Sequence, residues 1–266
     1  MPDVVVEKQG HVLTVTLNRP QRRNAMTLAM FARLSDAWDL ADGDDEIRVI
    51  VLTGADGHFS AGMDLRAMSG DIDPTDDYDV AGRMEREGSG FIYDGLLKTR
   101  HPRVPVVAAV EGTAIAGGTE LLQGTDIRIA GESAVFGVSE VRWALYPMGG
   151  SAVRLPRQIS FTEAADLLLT GRHVSAAEAR GMGLIGQVVP DGSALARAYE
   201  TAATIAENGP LAVRAIKELA VRGQYMPIEY GLRMEQAIGQ VLKTTEDARE
   251  GPRAFAEKRR PDFTGR

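Results

Sequence analysis

Short apolar runs alternate with amphipathic segments over the first two-thirds of the chain. The first two runs are rich in β-branched side chains and are separated by Gln9-Gly10, which predicts a β-hairpin. Later runs are continuously apolar, which is typical of strands buried on both faces of a sheet. The predicted strands are residues 4–7, 12–17, 49–52, 104–110, 126–130 and 185–189. Their alternation with helical segments predicts an α/β fold.

Segments with apolar residues three and four positions apart predict helices. Thr27 is expected to cap the first helix, and Ser175 followed by Glu178 has the pattern of a capping box. The predicted helical segments are residues 28–41, 91–99, a short segment carrying Glu120, 151–155, 164–169, 175–181, 194–206, 211–221, 228–242 and 245–259. Only helices are predicted after residue 192, so the chain divides into a core at residues 1–192 and a helical region at residues 193–266.

Composition limits the function classes. The 266 residues include no Cys, which excludes disulfides, thiolate nucleophiles and thiolate metal sites. The net charge of −7 argues against broad binding to nucleic acid or to an anionic membrane. The N-terminal segment lacks the pattern of a signal peptide, and no apolar run approaches the roughly 18 residues of a spanning helix. We therefore expect a cytoplasmic enzyme.

Two motif matches have the wrong context. Residues 181–186 fit the dinucleotide signature G-x-G-x-x-G, but a predicted helix precedes them and a strand follows, which favours a helix end and a turn. The acidic segment at residues 71–79 resembles a calcium loop, but Pro74 lies in its middle and the EF-hand glycine and terminal Glu are missing. A solvated loop is expected there. No metal-ligand spacing is present among the four histidines, which are His11, His58, His101 and His173.

The most hydrophobic stretch, residues 106–140, contains the candidate chemistry. Gly117-Gly118 follow a predicted buried strand and lead into a helix, so their backbone N–H groups would point into a cleft and could bind an oxyanion. A second turn of small residues at 60–64 also follows a buried strand and could supply a second N–H group. Two such donors could polarise a thioester carbonyl and stabilise an enolate. The alternative is that both segments are plain turns.

Glu120 and Glu140 are the candidate acid/base pair. Hydration of an α,β-unsaturated acyl group needs a base that activates water and an acid that protonates the α-carbon. Two carboxylates on opposite sides of one water molecule can do both. The alternative is that each glutamate is an exposed residue of a helix or turn, which the residue pattern alone would favour.

Together these motifs resemble the crotonase (enoyl-CoA hydratase/isomerase) superfamily, and the match runs nearly end to end. The matching segments are Asn18-Arg19-Pro20 and residues 23–26, 59–64, 109–121, 126–130, 136–150, 169–179 and 255–259. The resemblance implies a crotonase (ClpP-like) spiral of repeated β-β-α units and a C-terminal helical region that builds homotrimers, often paired as hexamers. It implies an acyl-CoA thioester as substrate, with coenzyme A as part of that substrate and no separate cofactor.

The resemblance also assigns roles to individual residues. The family's oxyanion hole corresponds to the N–H groups of Met63 and Gly117, while Glu120 would help to activate water and Glu140 would exchange the proton with the α-carbon. The remaining substrate-binding positions correspond to Ala25, Ala61, Gly62, Asp64, Met148, Phe255 and Lys258. Both glutamates are present, which favours hydration of a 2-enoyl-CoA and a place in the β-oxidation of fatty acids. The alternatives are isomerisation through the same enolate and a non-catalytic acyl-CoA or RNA binding protein of the same fold.

The chain departs from the family pattern at several positions near the second glutamate. Ser139 replaces the usual proline before Glu140, and Arg142 and Trp143 replace small apolar residues. Met148 stands where a glycine is common, so it would narrow the pocket or shift the water. The loop at residues 68–90 is expected to border the acyl pocket, and its composition fixes no acyl chain length.

Overall fold

The computed structural model describes residues 2–68 and 77–266. In this part of the chain the strands form a six-stranded sheet in the order β1-β2-β3-β4-β6-β9 and a three-stranded sheet in the order β5-β7-β8. The strands are β1 Val4–Gln9, β2 Val12–Leu17, β3 Val49–Gly54, β4 Val106–Val110, β5 Thr113–Ile115, β6 Ile127–Gly131, β7 Val135–Gly137, β8 Val174–Ser175 and β9 Gln187–Val189. The large sheet is parallel except for β1, which forms the predicted antiparallel hairpin with β2.

Helices cover the sheets and form the C-terminal part of the chain. They are α1 Leu28–Gly43, α2 Leu65–Met68, α3 Val80–Glu87, α4 Gly90–Gly95, α5 Gly117–Leu122, α6 Ser151–Gln158, α7 Phe161–Thr170, α8 Ala176–Gly181, α9 Ala194–Ala206, α10 Pro210–Gly223, α11 Ile228–Leu242 and α12 Glu246–Ala256. Two short 3-10 helices span Pro20–Arg22 and Glu140–Trp143. No helix of the described residues has the length and apolar character needed to cross a bilayer.

The chain alternates between the two sheets, which confirms the expected β-β-α repeat. β4 lies in the large sheet, β5 in the small sheet, and α5 follows; β6 and β7 repeat the same step. Thr119 of α5 ties the repeats together, because its hydroxyl donates to Ala114 O at 2.6 Å and accepts from Gly137 N–H at 3.2 Å. The repeat therefore places the start of α5 beside the ends of β5 and β7.

The large sheet is buried on both faces, as its continuous apolar runs predict. One face packs into the main core, and the other packs against α9. Ala194, Ala198 and Ala202 line one side of α9 at four-residue spacing, so the helix approaches the sheet closely. The boundary at residue 192 stays a prediction, and the first helix beyond it is part of the layer that covers the sheet.

Several local predictions are confirmed by side-chain contacts. Thr27 caps α1, since its hydroxyl accepts from the Met30 N–H, and Ser175 with Glu178 forms the reciprocal capping box of α8. α8 ends at Gly181, and Gly183 has a φ of +85°, so residues 181–186 are a helix end and a turn. Within the predicted acidic loop at residues 71–79, residues 71–76 lie outside the described ranges.

Other predictions are wrong in their bounds or incomplete. The helix predicted at residues 91–99 ends at Gly95, because Leu97 has a φ of +54° that an α-helix cannot contain. The strand predicted from residue 104 begins at Val106, and the one predicted from residue 185 begins at Gln187. The helix predicted at residues 245–259 spans only Glu246–Ala256. The short strands of the small sheet and the polar helix α3 were not predicted.

The crossing of α1 and α4 depends on a residue without a side chain. A β-carbon built on Gly95 would lie 2.4 Å from Phe31 O, and Trp38 Nε1–H donates to Gly95 O at 3.2 Å.

We predict that Gly95→Ala lowers the free energy of unfolding by about 1–3 kcal/mol through overpacking. The control is Gly90→Ala on the same helix, where a β-carbon meets open space and helix propensity makes the change neutral or slightly stabilising. Equal urea midpoints for the two variants would contradict the close crossing.

Candidate active site

The turn at residues 60–64 lies beside β5 and the start of α5. Ser60 forms a parallel bridge with Ala114 of β5, so the turn extends the small sheet toward α5. A β-carbon built on Gly117 would lie only 3.5 Å from the Met63 nitrogen. The backbone amides of Met63 and Gly117, to which the resemblance assigns the oxyanion hole, are therefore neighbours.

Both amides are available to a ligand. Met26 bridges to this turn by donating to Gly62 O at 2.7 Å and accepting from Asp64 N–H at 2.9 Å, so the Met63 N–H points away from that bridge. Gly117 is the first residue of α5, and its N–H has no acceptor within the helix. In the part of the chain that the structure describes, neither N–H donates a backbone hydrogen bond. Two adjacent donors of this kind can hold a developing oxyanion.

Unusual backbone conformations orient these amides. Ala116 has φ +50° and ψ −126°, a region that costs a residue with a side chain about 1–3 kcal/mol. Its N–H donates to Gly137 O at 2.7 Å and its carbonyl accepts from Glu120 N–H at 3.0 Å, which holds the strained residue in place. Gly62 has φ +92°, and its N–H donates to Ser60 Oγ at 3.1 Å. No residue pattern indicates the strain at Ala116.

Buried polar residues hold the turn at residues 60–64 in place through hydrogen bonds. Arg19 is fully buried, and its Nη1 donates to Ala25 O at 2.7 Å and to Asp64 Oδ2 at 3.0 Å. Burial raises the pKa of Asp64, but the hydrogen bonds from Arg19 and the Arg66 backbone, together with nearby arginine charges, leave that pKa below its usual value. The buried Asn24 amide donates to His58 O at 2.7 Å. Ala25 and Asp64 are thus held next to the Met63 amide.

Glu120 is the buried carboxylate of the site. It is 4% exposed, and its Oε1 accepts from the Ser151 N–H at 3.2 Å at the start of α6. Burial raises its pKa, while the hydrogen bonds from the Ser151 and Gly149 backbone and the charge of Lys98 act in the opposite direction. The amides at the start of α6 therefore support the ionised form of a carboxylate that burial would otherwise keep neutral.

Glu140 begins the 3-10 helix that follows β7, and it is only partly exposed. Its Oε2 is buried and accepts no hydrogen bond from the described residues. Burial and the charge of Glu120 raise the pKa of Glu140 to about 7. The charge of Glu120 therefore favours the protonated form of Glu140 near neutral pH.

Of the remaining predicted substrate-binding positions, some lie in the turn or beside the glutamate site, and others lie at the C-terminal end of the chain. Ala61 lies in the turn with Gly62, and Met148, which is 55% exposed, directly precedes Gly149 at the glutamate site. Phe255 is 87% exposed on α12, and Lys258 is exposed just after it. In the described residues the hydrogen bonds and ion pairs of α12 stay within the C-terminal region. Within one chain the structure does not bring Phe255 and Lys258 to the glutamates.

Comparisons with known proteins show the family of this chain. A family model described as enoyl-CoA hydratase/isomerase matches residues 7–266. The chain belongs to the enoyl-CoA hydratase/isomerase family. A Mycobacterium tuberculosis protein named enoyl-CoA hydratase EchA19 is 54% identical over 100% of this chain and 97% of its own length. The (E)-benzylidenesuccinyl-CoA hydratase of Thauera aromatica is 38% identical over 98% of this chain and 99% of its own.

Solved structures of this family share the fold. A crystal structure of an enoyl-CoA hydratase from Bacillus anthracis has a TM-score of 0.90 and 36% identity, covering 99% of this chain and 100% of its own. An enoyl-CoA hydratase structure from Mycobacterium tuberculosis has a TM-score of 0.88 and 39% identity, with 100% of both chains covered. The predicted superfamily and fold class are confirmed.

The alternative that Glu120 is an exposed helix residue is wrong, because the carboxylate is buried against α6. Gly149 and Ser151 were not predicted as the residues that hold it, because a backbone donor does not depend on the type of side chain. The glycine at position 149 was a usable signal. A β-carbon built there would lie 2.6 Å from Glu120 Oε2.

We predict that Gly149→Ala displaces the Glu120 carboxylate or the start of α6. The turnover of a 2-enoyl-CoA should fall by about 10- to 100-fold, because small misplacements of a reacting group have effects of that size. Gly181→Ala at the end of α8 is the matched control, since its β-carbon meets nothing within 4 Å. Steady-state kinetics and melting temperatures of both variants give the comparison. Equal activity would show that Glu120 tolerates the added methyl group.

Proposed function

We propose that this protein is an enoyl-CoA hydratase, which adds water reversibly across the double bond of a 2-enoyl-CoA thioester. The observation that carries the proposal is a pair of unlike carboxyl groups beside two free, adjacent N–H donors. One carboxylate, Glu120, is stabilised by backbone amides, while Glu140 has a pKa of about 7. Family membership and relatives named as hydratases support the same activity.

The N–H groups of Met63 and Gly117 bind the thioester oxygen. As water adds to the β-carbon, electron density moves from the double bond to that oxygen and an enolate develops. The two donors stabilise this charge more strongly than they stabilise the ground-state carbonyl, which lowers the barrier. The strained backbone at Ala116 fixes the direction of the Gly117 N–H before the enolate charge develops, so no reorganisation is needed during the reaction.

The two glutamates handle the protons. Glu120, ionised, accepts a proton from water while the water oxygen bonds to the β-carbon. Glu140, protonated, delivers its proton to the α-carbon as the enolate collapses. One turnover leaves Glu120 protonated and Glu140 ionised, and proton exchange with solvent restores the starting state. These roles match the surroundings, since the amides at the start of α6 favour the charged form of Glu120, while burial and the charge of Glu120 favour the neutral form of Glu140.

The remaining assignments extend this proposal. Ala25, Ala61, Gly62, Asp64 and Met148 would line the acyl-CoA site, and coenzyme A would enter only as part of the substrate. Binding of nucleic acid or membrane has no part in the proposed function. We place the reaction in the cytoplasm and in the β-oxidation of fatty acids. A panel of 2-enoyl-CoA chain lengths would define the acyl group.

We also propose a homotrimer, or a hexamer made of two trimers. Every residue of α11 is described and none is buried, although the helix is 15 residues long and carries large apolar side chains. Those exposed side chains are Ile228, Tyr230, Leu232 and Val241. A second copy of the chain would cover them and would give Phe255 and Lys258 of α12 a route to a substrate. Sedimentation equilibrium of the purified chain measures the assembly.

We predict that Glu140→Gln lowers the rate of 2-enoyl-CoA hydration by roughly 10²- to 10⁴-fold, because the amide cannot supply the proton. Thioester binding measured by calorimetry should change little, since the Met63 and Gly117 amides are unaffected. Glu132→Gln, at an exposed residue eight positions earlier in the chain, should keep full activity. Unchanged turnover in Glu140→Gln would dismiss the acid/base assignment. A wild-type enzyme that consumes 3-enoyl-CoA in preference to 2-enoyl-CoA would instead indicate an isomerase.

We predict a bell-shaped pH dependence of kcat/KM, which reports the free enzyme. Activity should fall at low pH as Glu120, whose pKa lies above its usual 4.5, takes up a proton and stops acting as a base. It should fall at high pH as Glu140 loses its proton near pH 7. Initial rates of hydration across the pH range test both limbs. A profile without an alkaline limb would be inconsistent with a protonated Glu140.

A further inference from the structure

Lys98 lies beside the residues that hold Glu120. Its γ-carbon would be 3.7 Å from a β-carbon built on Gly150, which stands between the two backbone donors Gly149 and Ser151. The lysine stem therefore crosses the start of α6, next to the amides that bind the carboxylate. No motif in the sequence marks this position.

The backbone fixes Lys98 independently of its side chain. Leu97, directly before it, has φ +54°, which is a strained conformation for leucine. Arg154 of α6 holds this turn, because its Nη2 donates to Leu97 O and, at 3.2 Å, to Lys98 O. The Lys98 N–H donates to Tyr93 O at 2.8 Å. These contacts would all survive replacement of the lysine side chain.

The Lys98 ammonium group is partly buried and has no carboxylate partner among the described residues. Its Nζ lies 4.2 Å from the centroid of the Tyr93 ring, a cation–π contact. Other lysines have direct partners, as Lys217 has in Asp126 at 2.7 Å and Lys8 has in Asp44. No carboxylate of the described residues neutralises the positive charge of Lys98. This charge lowers the pKa of Glu120 and so favours its ionised form.

The charged groups that face Glu120 come from three elements. Lys98 follows α4, Arg154 lies on α6, and Glu140 begins the 3-10 helix. Arg154 uses Nη2 on the carbonyls of the turn, while Glu140 opposes the charge of Glu120. Hydration by the proposed mechanism requires that Glu120, and not Glu140, is the carboxylate that is ionised before water is bound.

We propose that Lys98 is a positioning residue whose ammonium group, on a stem that packs against the start of α6, adds to the backbone amides in keeping Glu120 ionised for the proton of water. The inference rests on the proposed acid/base roles of the two glutamates. Lys98 acts through Glu120 and touches no reacting atom in this scheme. The Tyr93 ring contacts the ammonium group without neutralising its charge, as a carboxylate would.

The test compares Lys98→Met, which keeps most of the stem and removes the charge, with Lys98→Arg, which keeps the charge. Lys8→Met, a surface lysine on β1, controls for the loss of one positive charge. The acid limb of kcat/KM for 2-butenoyl-CoA should move up by about 0.5–1 pH unit in Lys98→Met, because an opposite charge near a carboxyl lowers its pKa. Lys98→Arg should restore the wild-type limb, and Lys8→Met should leave it in place.

A second readout does not require turnover. Carbon-13 NMR of the glutamate side-chain carboxyl groups follows the titration of Glu120 directly, and Lys98→Met should raise its midpoint by the same amount. An unshifted Glu120 titration would overturn the inference even if the enzyme hydrates its substrate. A higher KM for a carboxylated 2-enoyl-CoA with an unshifted acid limb would also overturn it, by making Lys98 a substrate contact. Wild-type enzyme that hydrates no 2-enoyl-CoA would refute the proposed function, while the NMR titration would still decide the role of Lys98.

Discussion

The site depends on burial of one carboxylate, Glu120, against the first backbone amides of α6. An unpaired buried carboxylate costs several kcal/mol, and each hydrogen bond to a charged group contributes about 1.5–3 kcal/mol to offset that cost. This requirement fixes the distance between α5 and α6 and excludes a side chain at Gly149. Glu140 has no such pair of amides, and burial and the charge of Glu120 raise its pKa to about 7, which separates the two carboxyl groups chemically.

Two residues with positive φ orient groups at the site through their backbone conformation. Ala116 turns the first amide of α5 outward, and Leu97 sets the direction of the turn that carries Lys98. Both residues have positive φ; the Ala116 N–H donates to Gly137 O of β7, and Leu97 O accepts from Arg154 of α6. The fold therefore concentrates strain around the glutamates, where fixed dipoles have the greatest effect on a developing charge.

The long periodic elements could be predicted from the sequence, because α9 and α11 repeat an apolar face over several turns and β3 and β4 are continuously apolar. The candidate glutamates and glycines were identified through motifs that span nearly the whole chain. The strands of the small sheet were missed, since three residues are too few to show a period. Lys98 was missed for a different reason: its surroundings are built by Gly150 and Arg154, more than fifty positions away in the chain.

The solvent-facing character of α11 has a thermodynamic consequence. A helix of this length gains little from its own hydrogen bonds in water, so most of its stability must come from contacts outside the helix. If neighbouring copies of the chain supply those contacts, as in the proposed homotrimer, the folded fraction of α11 depends on protein concentration through mass action. Dilution would then loosen α11 before it disturbs the sheets, and the concentration of the protein itself would govern how firmly this helix is folded.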